Sequence, residues 1–251
     1  MKLGFLTFFT FIISIAVLII FDLEMWAFLL IFVPFFLVIS TYFTAWYNMN
    51  GRIQPKAIPL SGYENRVQTI RTIALEIERL GFREIDRFYL GIIPDTIIFA
   101  YKHSNEPVYF CLYHLGTKIS CDFVTRYGYE ITLTTNNVVE GGTMPRPAEA
   151  MLQIFPGNSY EQLFNKHLTA HRFLITKGIT LHDFQTTEFR EVFMRSFKTQ
   201  WSYLKKHPLW PLQTIFRTIT HIGIKSHVSI ENQWKWIEPK LKKMSDYGAL
   251  H

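Results

Sequence analysis

Two histidines four residues apart, His167 and His171 in "KHLTAH", come nearest in type and spacing to metal chemistry. On a helix, residues four apart share a face, so both imidazoles can approach one ion. The stretch lacks the glutamate that a zinc-hydrolase helix places directly after its first histidine. Both histidines also fall inside an apolar stripe, where hydrogen-bonded structural histidines are the simpler reading. A third ligand, His114 or Asp122, would have to come from the strands. The pair is thus a weak metal candidate. No cofactor is expected, and a membrane-tethered metal-dependent hydrolase centred on His167/His171 is an alternative only.

Other reactive side chains carry less. Cys111 and Cys121 lie on consecutive predicted strands without metal-knuckle spacing and read as small apolar residues. Asp122 and Glu130 share the polar face of one strand run; their types suit general acid–base work, but a solvated sheet face explains them more simply. No phosphate-cradling glycine loop, nucleophile elbow or dinucleotide fingerprint is present. These absences turn the reading away from catalysis.

A charge asymmetry is more informative. The chain has 251 residues and a net charge of +6. The 39 residues between Glu191 and Glu231 contain no acid. They hold Arg195, Lys198, Lys205, Lys206, Arg217 and Lys225, with Trp210 among them. Such a run suits contact with an anionic membrane surface, binding of nucleic acid, or the wet side of two core helices. The Lys205–Pro208 corner and Trp210 are expected at lipid headgroups, where an indole is apolar yet wet at its N–H.

The elements that position these residues begin with a membrane anchor. Residues 3–21 and 26–46 are runs of nineteen and twenty-one positions without a charge, each enough to span a bilayer as a helix. Asp22-Leu23-Glu24-Met25 joins them, so a hairpin must turn at the far interface. Lys2, Arg52 and Lys56 flank the other ends, which places both termini in the cytoplasm. The expected localisation is an integral protein of a bacterial inner membrane, with the lipid bilayer as its first partner. Residues 1–47 form the anchor and 48–61 a Pro/Gly-punctuated linker. Residues 62–251 form a cytoplasmic α+β domain.

Within that domain, Val67, Ile70, Ala74, Ile77 and Leu80 recur at helical spacing, predicting a helix over 62–80 capped by Ser61 and Glu64. Strands are predicted at 84–90, 95–103, 107–115, 118–126 and 129–135. Odd positions from 119 to 133 are largely apolar and even positions largely polar, which predicts one core face and one wet face. The 136–147 segment reads as a long loop. Helices are predicted at 158–178, 186–206, 209–223 and 228–244. The whole is an antiparallel meander on a helix with a C-terminal helical group. The leading functional expectation is a non-enzymatic accessory or scaffold protein, a subunit of a larger membrane complex, that binds a protein partner. An anionic-lipid or nucleic-acid binding module using the basic run 192–230 is the third reading.

Overall fold

The computed structural model describes residues 36, 38–40, 42–43, 54–59, 61–92, 95–128, 131–138, 142–182, 186–220 and 228–246. The expected acidic turn, the first span and most of the second lie outside these residues. Among the described residues, no helix is long and apolar enough to cross a membrane. The chain divides into two compact units, Met1–Tyr47 and Asn48–His251. The second unit has α+β architecture.

It opens with helix α1 (Glu64–Arg79), which buries Ile70, Ala74 and Ile77 at helical spacing. The expected capping box is not formed. The helix starts two residues too late for Ser61, and its N-cap, Tyr63, gives no side-chain cap bond. Gly81 follows with φ 92°, a conformation that suits glycine just past a helix end. Five antiparallel strands come next: β1 (Phe82–Leu90), β2 (Thr96–His103), β3 (Tyr109–Leu115), β4 (Lys118–Tyr127) and β5 (Ile131–Asn136). A sixth strand, β6 (Ala150–Ile154), was not expected; it adds beside β5 in parallel. Parallel neighbours need a long crossover. That requirement explains the length of the 137–149 connection, read from the sequence as a loop.

Helix α2 (Tyr160–Thr176) begins with a complete capping box between Ser159 and Gln162. A 3-10 turn at Thr186–Glu188 leads into α3 (Phe189–Lys205). Helices α4 (Trp210–Thr220) and α5 (Ile230–Asp246) follow among the described residues. The 54–59 part of the expected linker is not a bare tether. Lys56 forms a two-bond bridge with Tyr89 on β1, and Ile58 packs on the core. The bridge shields part of an otherwise open sheet edge.

The sheet has helices on both faces. On the inner face, α1 and α2 pack on Phe82, Phe99, Phe110 and Phe123, while α2 and α5 pack on Tyr127, Leu133 and Met151. On the outer face, α3 lays Phe189 and Phe193 against Phe88 and Tyr109. A one-residue register shift between Glu84 and Asp86 lets β1 serve both layers. It sends Phe82 inward but Phe88 and Leu90 outward, since a single slip moves side chains to the opposite face.

Candidate functional site

The expected inward face of β4 is inward, and His167 sits against it. Its ring is fully buried, with Nε2 2.9 Å from Thr125 Oγ1 and Nδ1 2.8 Å from Thr135 Oγ1. Thr125 donates its own proton to the Pro107 carbonyl, so it must accept from Nε2–H. Thr135 accepts from Gln153 Nε2 at 2.7 Å, so its hydroxyl proton goes to Nδ1. The Gln153 oxygen in turn accepts the Ile230 N–H. These partners assign the tautomer and draw one directed chain from the start of α5 to the β2–β3 loop. Burial, and then His171 beside it, push the His167 pKa down to about 3. His171 bonds the Tyr127 hydroxyl through Nδ1 at 2.7 Å, and burial also lowers its pKa.

The structure therefore does not assemble the metal set considered from sequence. Both nitrogens of His167 are engaged, Asp122 points from the opposite face of the sheet, and His114 Nδ1 accepts from Arg66 Nε at 3.1 Å. Among the described residues, no three His, Cys, Asp or Glu side chains are grouped to hold a metal. Glu130 lies outside the described residues.

The even positions of β4 hold the larger surprise. Expected to be wet, they are roofed by α3 and line a cavity of about 650 Å³ between the sheet and that helix. Volumes of 300–1,000 Å³ are usual for small-molecule sites. The roof is apolar: Val192, Phe193 and Phe197 from α3, with Val138 and Met144 from the crossover loop. The floor is polar, with Ser120, Asp122, Arg126, Thr132, Thr134 and Asn136 on adjoining strands. Four hydrogen bonds between three residue pairs hold the roof in place. Arg190 grips the Asp86 carboxylate through Nε and Nη2 at 2.7 Å each, Arg126 Nη1 reaches Ser196 Oγ at 3.1 Å, and Gln200 Nε2 donates to the Pro145 carbonyl at 2.7 Å.

Asp122 is the focus of this floor. Strand register puts it directly between Cys111 on β3 and Asn136 on β5. Asn136 Nδ2 and Tyr113 hydrogen-bond its carboxyl, and the charge of Arg146 acts on it from the crossover loop. Burial nevertheless dominates and raises the Asp122 pKa to about 6. Burial, assisted by the Asp122 charge, pushes the Cys111 thiol up to about 12, which keeps it a thiol and removes it as a nucleophile. Asp122 was weighed from sequence and discounted as solvated; Arg126 and Arg146 were not singled out at all. Arg126 ends a predicted strand, whereas Arg146 lies in the segment read as a long loop, where nothing local marked it.

The basic run is dispersed. Arg195, Lys198, Lys205 and Lys206 are exposed, whereas Arg217 is half-buried. Lys225 lies outside the described residues. The expectation for Trp210 is corrected: its ring is 1% exposed and packs into the domain, so it cannot reach headgroups.

No family model matches the chain, and neither a curated protein nor a solved structure matches it.

Proposed function

We propose that this chain is a non-enzymatic, membrane-anchored binding protein whose cavity beneath α3 takes up an amphipathic organic anion. The observation that carries this reading is a largely apolar lining with an excess of cations over acids in one drug-sized space. Aromatic rings of Phe193 and Phe197 offer contact to an apolar body. Among the described lining residues, Lys118, Arg126 and Arg146 face a single acid, Asp122. A guanidinium presents five donors in a plane and suits a carboxylate, sulfonate or phosphate group. The anchor at 1–47 would hold such a receptor where amphipathic molecules concentrate. An accessory role in a larger complex is compatible with it, the bound molecule then being what the protein reports or delivers.

The protonation of Asp122 supplies the test. Its folded pKa is about 6 against 3.8 for a free side chain, so it gains a proton as pH falls through 6. Neutral Asp122 removes the one negative charge among the described lining residues, so an anion should bind more tightly below pH 6. Full-length protein in neutral nanodiscs would be titrated with an anilinonaphthalene sulfonate, whose charge stays fixed over this range, against empty nanodiscs. Saturable binding that tightens severalfold on acidification, and a flat profile for Asp122→Asn, is the expected result. Binding no greater than that of empty nanodiscs would refute the proposal.

A further inference from the structure

Helix α4 is built the wrong way round for a helix that only packs. Trp210 and Pro211 fix its start to the domain, both buried. Apart from half-buried Ile215, its remaining large apolar side chains, with Leu209 just before it, point to solvent. Leu209 is 63% exposed, Leu212 48%, Phe216 58% and Ile219 71%. Their steps of three, four and three residues put them on one side, an apolar stripe about three turns long. Scattered exposed apolar residues are ordinary, but a continuous stripe marks a contact surface.

We propose that this stripe docks shallowly into an anionic lipid bilayer, with the corner before it as the electrostatic clamp. Lys205, Lys206 and His207 are exposed immediately before Leu209, and no acid occurs anywhere from 192 to 230. Apolar side chains flanked by lysines are the pattern of a helix lying in a membrane interface. The occupant follows from charge and from the rest of the chain. A second copy would bring the same lysines face to face across a symmetric contact. Nucleic acid would meet the cations but leave the aliphatic Leu209, Leu212 and Ile219 against polar backbone. A bilayer satisfies both parts, and the uncharged runs 3–21 and 26–46 are each long enough to bring the chain to one. The surface differs from the one expected from sequence: the contact is made by the α4 stripe, not by Trp210. It is independent of the cavity.

The test uses full-length protein in vesicles, labelled with an environment-sensitive fluorophore through Ile219→Cys. Cys111 and Cys121 are buried and stay unlabelled. With phosphatidylserine in the vesicles, emission should shift to the blue and be quenched by nitroxide-bearing lipid. The quenching should weaken with salt and fall at least tenfold in Lys205→Glu/Lys206→Glu. A label at the exposed Glu76 of α1, through Glu76→Cys, should remain in water throughout. Unchanged melting of the charge-reversed protein checks its fold. A label at 219 that stays in water beside anionic lipid overturns the proposal. So does shielding that tracks protein density equally in neutral vesicles, which indicates a second copy, or shielding that appears only with added nucleic acid.

Discussion

The two faces of one sheet handle polarity in opposite ways. Inside, Thr125, Thr135, Gln153 and His167 are all buried and all neutral, and each polar atom of their chain is matched by another. Outside, on alternate residues of the same strands, Asp122 and Arg126 are charged groups beside an open cavity. The difference teaches that burial alone does not set what a side chain may be. In a closed layer an incomplete set of hydrogen bonds is costly, and the buried Tyr101 hydroxyl is an exception there. A layer with room for a guest tolerates ionisable groups that keep partners in the fold and still border open space.

Neighbouring residues of β5 give the sharpest way to break this contrast. Thr135→Phe forces a ring into the closed layer and strands His167 and Gln153; together these should cost about 4 kcal/mol. Thr134→Phe turns the same ring into the cavity and should cost less than about 1 kcal/mol. Denaturant midpoints of the two variants measure the gap, and equal losses would erase the distinction between the faces.

Acid should expose the inner layer next. The folded pKa of His167 is depressed below its unfolded value, so the native state binds fewer protons than the unfolded one. Its contribution is complete above pH 6.5 and is lost as pH falls towards 3, on the order of 4 kcal/mol in all. A protonated ring would also aim a second N–H at Thr135, whose oxygen already accepts from Gln153. Asp122, whose pKa is raised, titrates with the opposite sign in the same window. Stability measured in the Asp122→Asn background should therefore decline as pH falls, and a flat profile there would show the ring is not held neutral.

Packing effects of α1 follow. Ile77 is fully buried, so Ile77→Ala should cost on the order of 2–5 kcal/mol. Arg79, exposed at the end of the same helix, should tolerate alanine within about 0.5 kcal/mol. Melting of the two variants compares them directly.

Much of the fold was legible because its signals are local. The α1 stripe and five of the strands follow from spacing and turn residues. The sixth strand was missed because "AMLQI" is short and its partner β5 is reached only through a thirteen-residue crossover, 137–149. The cap at Ser61 failed because its side chain was two residues short of the helix start. Reading the even positions of β4 as wet was the instructive error. Asp122 and Arg126 have the polarity of a solvated face, and alternation reports polarity, not what lies above it. Only the tertiary placement of α3 turns that face into a cavity. Trp210 failed for the converse reason: a basic neighbourhood in sequence says nothing about which way one ring on a helix points.

The cavity as a binding site is the central claim, and Thr134→Phe tests it most directly. The variant fills the space while leaving the inner layer untouched. Titrated with the same sulfonate in neutral nanodiscs, it should bind at least tenfold more weakly than the wild type while melting at nearly the same temperature. Undiminished binding by a folded Thr134→Phe protein would contradict the account, because the anion would then be held somewhere other than beneath α3.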